Sequence, residues 1–220
     1  MSMSSSREAS SGEVSIPLER NRVLLLAPGT NDYVFEVQRG LVSVETQINL
    51  PRRRIIDFLL PGDVLSSRTL VGKSEVRLRA IERSQLQRCN RRAWVSRRDA
   101  EQILRHSEAA TTRAYLANAI LGLTDVDARV ATFMLALATR QHGTRSLNPC
   151  FELAMTREEV ADYILVNPDT LSRSYSRLRE QGTIDRNVRN HIIVSDWDRL
   201  MALTPLTEVV RGAFATPEMG

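Results

Sequence analysis

Asp169, Ser172 and Arg173 stand near the front of a short segment, PDTLSRSYSRLRE from Pro168 to Glu180, whose side chains suit one kind of chemistry. Arginine bonds guanine O6 and N7 bidentately, a carboxylate accepts from the cytosine N4 amine, and serine tolerates several bases. At helical spacing Leu171, Tyr175 and Leu178 fall together and predict the buried side. Asp169, Arg173, Ser176 and Glu180 fall opposite, with Ser172 and Arg177 flanking. Such a divided surface is what a recognition helix in a DNA major groove needs. A polar helix face is by itself more often merely solvated, so the neighbouring segments must decide.

They point the same way. Thr156 followed by Glu159 forms a capping box, which starts a helix whose apolar positions Val160, Ala161 and Ile164 face a core. Asn167-Pro168 supplies an N-cap with proline at the first helical position, where its missing N–H costs nothing. Gly182 ends the second helix. Two short helices joined this tightly predict a helix-turn-helix. The hairpin from Thr183 to Val194, with its tip at Asn187–Asn190, predicts a wing. There Arg186 and Arg189 are placed to reach phosphates, which set affinity without sequence preference. Thr156, Pro168, Thr170, Ser176 and Arg177 are further candidate DNA contacts. A helix from Ser195 or Asp196 through Leu203, stopped before Pro205, is expected to be the last ordered element.

Upstream, β-rich runs alternate with turns: Val23 to Leu26, Tyr33 to Val37, Leu41 to Glu45, Ile55 to Leu60 and Val76 to Ile81. Turn signals at Pro28-Gly29, Arg39-Gly40 and Pro61-Gly62-Asp63 recur at the spacing of a small barrel or sandwich. A long helix is expected from Trp94 to Leu123. Ile103, Ala110 and Ala117 repeat every seven residues along it, with Ser107, Ala114 and Leu121 four positions on. This a/d seam of small residues suits close pairing of two identical helices. A second helix, Val126 to Arg140, leads through a loop to the helix-turn-helix. The chain thus divides into a tail (1–15), a β-rich domain (16–93), a dimerisation helix (94–123), a hinge helix with linker (124–149) and a winged helix-turn-helix domain (150–220).

Composition narrows the function classes. Hydrophobic residues make up 42% and charged residues 25%, ordinary values for a globular chain, and no apolar run approaches a membrane span. The Ser-rich start lacks a signal-peptide core, and Cys89 and Cys150 lack metal-like spacing. A cytoplasmic location and no membrane association are expected. The net charge is +4, yet residues 150–220 hold 8 Arg and 11 Asp or Glu, a net of −3. DNA affinity must therefore rest on local charge, such as the five arginines of residues 173–189. No Gly-rich phosphate loop, nucleophile elbow or metal-spaced His/Asp/Glu cluster is present, so no enzyme is expected.

The order of β-roll, long helix and winged helix-turn-helix resembles the Crp/Fnr superfamily of bacterial transcription regulators, over nearly the whole chain. Val34-Phe35-Glu36-Val37-Gln38-Arg39-Gly40 is similar to the family's strand ending in a glycine turn, and Phe58-Leu59-Leu60-Pro61-Gly62-Asp63 to its F-x-x-P-G-D corner. Thr156-Arg157-Glu158-Glu159-Val160-Ala161 and Thr170-Leu171-Ser172-Arg173 through Leu178 resemble the signatures T-R-x-x-I-A and E-T-x-S-R-x-L-x-x-L. The resemblance implies an α+β fold: a cyclic-nucleotide-binding-like jelly-roll β-roll, a dimerisation helix and a winged helix. It implies as partners double-stranded DNA, a second copy of the chain and RNA polymerase, and an inverted operator with TTGA-type half-sites. By the same match Asp169, Ser172 and Arg173 are the base readers, with Asp169 one methylene shorter than the family's glutamate. The Ser-Arg pair is similar to the Fnr and FixK side.

The family's cofactors find few ligands here. Cyclic-nucleotide members hold ribose with Gly-Glu and phosphate with Arg-Ser; the matching stretch Val64–Ser74 has neither pair. Arg68 and Lys73 there read as surface charge rather than as anion ligands. An iron–sulfur cluster needs four thiolates, and the chain has two cysteines. His106, His142 and His191 lie outside the β-rich domain and read as structural or exposed. No cofactor is expected. Arg88, Arg91 and Arg92 would lower the pKa of Cys89, but a small, partly buried residue is the simpler reading of both cysteines. The competing class is a ligand- or redox-responsive sensor whose winged helix makes protein contacts.

Overall fold

A computed structural model describes residues 13–26, 32–49, 52–68, 75–142, 150–186 and 191–213. Pro28-Gly29, Lys73, the wing tip with Arg189, and the side chains of Arg186, Cys150, His142 and His191 lie outside the described residues. Contacts divide the chain into two units, Met1–Ala110 and Thr111–Gly220.

In the first unit, strands β1 (Glu13–Leu18), β2 (Val23–Leu26), β3 (Tyr33–Arg39), β4 (Val42–Asn49), β5 (Arg52–Leu59), β6 (Val64–Ser66), β7 (Val76–Ala80) and β8 (Ser84–Asn90) form two antiparallel sheets. Their orders are β1-β8-β3-β6 and β2-β7-β4-β5. Alternation directs one set of side chains inward from each sheet. Phe35, Val37, Leu65 and Leu86 meet Val42, Val44, Leu59, Val76 and Leu78 in one core. This is a double-sheet roll, as the resemblance implied. The Pro61-Gly62-Asp63 corner is held by its own chemistry. Gly62 adopts φ +88°, the Asp63 carboxylate accepts the Leu60 N–H at 2.7 Å, and Gly62 N–H donates to Val37 O at 2.8 Å.

The helix expected from Trp94 is two helices. Helix α1 (Arg91–Ser96) is capped by Asn90, whose side chain accepts the Arg92 N–H. The chain then breaks, and Asp99 starts α2 (Ala100–Gly122) by accepting the Gln102 N–H at 2.7 Å. Two caps within ten residues outweigh the apolar repeat that suggested continuity.

In the second unit, helix α3 (Val126–His142) is buried on nearly every side between Val130 and Thr139. Around it lie β9 (Cys150–Glu152), α4 (Arg157–Tyr163), α5 (Pro168–Glu180), β10 (Ile184–Arg186), β11 (His191–Val194), α6 (Trp197–Ala202) and α7 (Thr207–Ala213). The sheet order is β10-β11-β9. Helix α6 is not the last element: α7 follows Pro205 and buries Val210 against Leu116, Leu135 and Ala136.

Candidate nucleic-acid interface

The two helices of the motif are set by their ends. The Thr156 Oγ1 accepts the Glu159 N–H at 3.2 Å, and the Glu159 carboxylate accepts the Thr156 N–H at 2.7 Å, a reciprocal capping box. Val160, Ala161 and Ile164 are buried as expected. Helix α4 closes in a Schellman turn: Val166 N–H donates to Ala161 O and Leu165 N–H to Asp162 O. The residue in the left-handed position is Leu165, φ +54°, where glycine is usual. The Arg129 guanidinium on α3 donates to both Ile164 O and Leu165 O at 3.3 Å, satisfying carbonyls that the turn frees.

Helix α5 is capped by the Asn167 side chain, which accepts the Asp169 N–H at 2.8 Å. It ends at Gly182, φ +71°, in a second Schellman turn with Thr183 N–H on Leu178 O. Its buried residues are Leu171, Ser174 and Leu178. The third member is Ser174, not the expected Tyr175, which stays half-exposed. The reason is Asp127 in the first turn of α3. Its carboxylate accepts Ser174 Oγ at 2.6 Å and Arg177 Nε and Nη2 at 2.9 and 2.5 Å. Arg177 holds the Asp127 carboxyl below the usual carboxylate range, against burial that pushes it up, and Ser174 adds to the lowering. So Arg177, a candidate DNA contact, is engaged with α3.

The three candidate base readers share the solvent side of α5 near its N-terminus. Asp169 and Arg173 are exposed. Ser172 Oγ donates to Pro168 O and accepts from Arg157 Nη1, both at 2.9 Å, so Arg157 fixes its rotamer. Thr156 and Ser172 already carry structural bonds, while Arg173 enters no ion pair among the described residues. Thr170 and Ser176 are half-exposed on the same helix. A recess of about 170 Å³ between α4, α5 and the wing is lined by Arg157, Ser172, Tyr175, Ser176, Arg179 and Asp185. The Arg157 and Arg179 guanidiniums at this recess can take a phosphate oxygen.

Sequence reasoning missed Asp127, Arg129 and Arg157. Asp127 gives no local signal, because its partners lie 47 and 50 residues downstream. Arg157 sits inside the quoted T-R-x-x-I-A stretch, and that was the available signal.

On α2 the seam residues Ser107 and Ala114 are exposed, and Ala110, Ala117 and Leu121 half-buried. Ile103 is half-buried against Val34, Cys89 and Trp94. Beside the seam stand Leu104 at 55% and Tyr115 at 61% exposure, two large apolar side chains facing solvent.

In the β-roll, Arg68 is paired with Asp32 at 2.9 Å, and Arg91 also donates to Asp32. Burial would raise the Asp32 carboxyl, but Arg91 and Arg68 together bring it below its ordinary value. Ser67 Oγ accepts the Tyr33 N–H at 3.1 Å. Ser67 is thus bonded to the backbone of β3, while Arg68 forms a surface ion pair with its side chain 68% exposed. Cys89 is buried, and burial followed by the charge of Glu13 pushes its thiol up, opposite to the lowering expected from the flanking arginines. Those side chains point elsewhere: Arg91 onto Asp32 and Arg88 over the Tyr33 ring. His106 packs on Trp94 at 5.3 Å, and burial, then Arg98, pushes its pKa down. No helix among the described residues is long and apolar enough to cross a membrane.

Residues 128–203 match the family model described as a Crp-like helix-turn-helix domain. The nitrogen fixation regulation protein FixK of Azorhizobium caulinodans is 30% identical over 177 residues, covering 77% of this chain and 71% of that one. The transcriptional activator protein FnrL of Cereibacter sphaeroides is 27% identical, covering 77% and 72%. Among solved structures, FixK2 from Bradyrhizobium japonicum superposes with a TM-score of 0.73 at 22% identity, covering 87% of this chain and 97% of that one.

Proposed function

The chain belongs to the Crp/Fnr family of transcription regulators, on its FixK branch, and from that premise we propose that it acts as a homodimer on an inverted-repeat operator with TTGA-type half-sites. The observation that carries this reading is the division of α5: Leu171, Ser174 and Leu178 locked inward, Asp169 and Arg173 exposed at the end nearest the helix start. Arg173 takes the guanine, Asp169 accepts from a cytosine amine of the other strand, and Ser172 touches a neighbouring base or phosphate. Arg157, Arg179, Arg186 and Arg189 supply phosphate contacts.

Two-fold symmetry places the two α5 helices in successive major grooves, about 34 Å apart. The α2 seam, Ser107, Ala110, Ala114, Ala117 and Leu121 with Leu104 and Tyr115 beside it, supplies the pairing surface. Binding requires no cyclic nucleotide or iron–sulfur cluster: Val64–Ser74 lacks the Gly-Glu and Arg-Ser pairs, and the chain has two cysteines where a cluster needs four thiolates. RNA polymerase is the expected protein partner at the promoter, and a cytoplasmic location follows from that role.

The test is binding to a duplex carrying two TTGA half-sites and to a scrambled duplex, without added ligand, across a salt series. Tight, sequence-selective binding that falls steeply with salt supports the reading. Equal, salt-insensitive binding to both, or a strict need for a nucleotide, contradicts it.

A further inference from the structure

The two flanks of α5 are charged unequally. A helix about 10–12 Å across fills a major groove about 12 Å wide, so residues beside its base-reading face meet the phosphate walls. Ser172 stands on one flank of the Asp169–Arg173 face, and Arg177 on the other, one turn past Arg173. On the Ser172 side the neighbours are cationic, Arg157 of α4 and Arg179. On the Arg177 side stands Asp127 in the first turn of α3, and Asp125 and Glu180 also act on Arg177 through their charge.

Among the described residues Arg177 is the arginine of α5 held in an ion pair, while Arg173 and Arg179 enter none. The fold has little use for that pair. The Arg177 side chain is 46% exposed, where an ion pair adds little to stability, and the bond that needs Asp127 is the one from buried Ser174. For a phosphate, the same pair is an obstacle. To take Arg177 it must break the two charge-assisted bonds from Nε and Nη2 to Asp127. It also leaves an unneutralised carboxylate beside the DNA, ionised at neutral pH.

We propose that Asp127 is a positioning residue that limits DNA affinity: it keeps Arg177 on α3, away from a phosphate that this flank of α5 would otherwise grip. The inference rests on the DNA-binding reading above. The withheld contact is to the backbone, which carries no sequence information. Asp127 therefore sets how tightly the chain holds any duplex, while Arg173 and Asp169 set which sequence it prefers.

The experiment uses the full chain on a duplex with two TTGA half-sites and on a scrambled duplex, across a salt series. Asp127→Asn keeps an acceptor for Ser174 Oγ and removes the charge that holds Arg177. It should bind both duplexes more tightly by the same factor, with the preference at the guanine unchanged. Its salt slope should steepen by about 0.9 per half-site, so that a fourfold rise in salt costs it about 3.5-fold more affinity per half-site than wild type. Asp127→Asn/Arg177→Gln should return to the wild-type slope. Arg177→Gln alone should leave the slope unchanged, and that measurement decides the matter should Asp127→Asn not fold. Unchanged or weaker binding by folded Asp127→Asn would overturn the inference. So would a gain that persists in the double variant, which assigns it to lost repulsion alone, or a shallower slope in Arg177→Gln, which puts Arg177 on a phosphate already. Failure of wild type to prefer the operator would overturn the DNA reading itself.

Discussion

Replacing Asp127 with alanine removes three hydrogen bonds at once, and their worth differs. Ser174 is fully buried, so its hydroxyl loses a charge-assisted partner with no water to replace it, a cost of roughly 1–3 kcal/mol. Arg177 is 46% exposed and returns to solvent, so its ion pair is worth at most about 1 kcal/mol despite two bonds. The total should be about 1–4 kcal/mol. In double-mutant cycles the coupling of Asp127 to Ser174 should exceed its coupling to Arg177. Urea unfolding followed by Trp197 fluorescence in a Trp94→Phe background isolates the second unit. The pH dependence has a defined sign. A carboxyl held low in the folded state contributes stability fully present above its unfolded pKa of about 3.9, and loses it as pH falls through the folded value. The gap between wild type and Asp127→Ala should therefore be flat from neutral pH to about 4.5 and close below about 4. A larger coupling to Arg177, or a gap that closes near neutrality, would refute the assignment.

Leu165→Gly removes a left-handed leucine whose side chain is 47% exposed; relief of about 1–2 kcal/mol of strain against about 0.5–1 kcal/mol of glycine entropy predicts a net gain near 0.5–1 kcal/mol in the same assay. Arg173→Ala should cost roughly 1–3 kcal/mol per half-site and flatten the preference at the guanine, measured on operators substituted at each position. Arg157→Ala should loosen Ser172 and weaken operator binding while leaving the guanine preference intact, read on those same operators. Ala114→Glu, placing a charge in the proposed seam, should give monomers by sedimentation and lose tight operator binding.

What was legible in the sequence was whatever is encoded within a few residues. The capping box at Thr156, the Asn167-Pro168 start and Gly182 each act on their own turn of helix, and each stands where it was expected. The roll was legible through Gly40 and Gly62, whose positive φ its corners need. Strands β1, β6 and β8 were not: β6 has three residues, β1 is an edge strand with one buried residue, and β8 is mostly polar in sequence. Ser174 and Tyr175 lie about equally far from the Leu171–Leu178 line on a 3.6-residue helix, so hydrophobicity favoured the tyrosine. A carboxylate from another helix reversed that choice, and no local pattern announces such a partner. The break at Arg97–Asp99 was readable in the Asp99 cap, but the seven-residue repeat masked it.

Selection from a randomised duplex library with the purified chain, without added ligand, tests the central claim most directly. The account predicts enrichment of an inverted repeat whose TTGA-type half-sites are centred about one helical turn apart, with the guanine among the strongest positions. Enrichment of no sequence, or of a single unrepeated site, would contradict it.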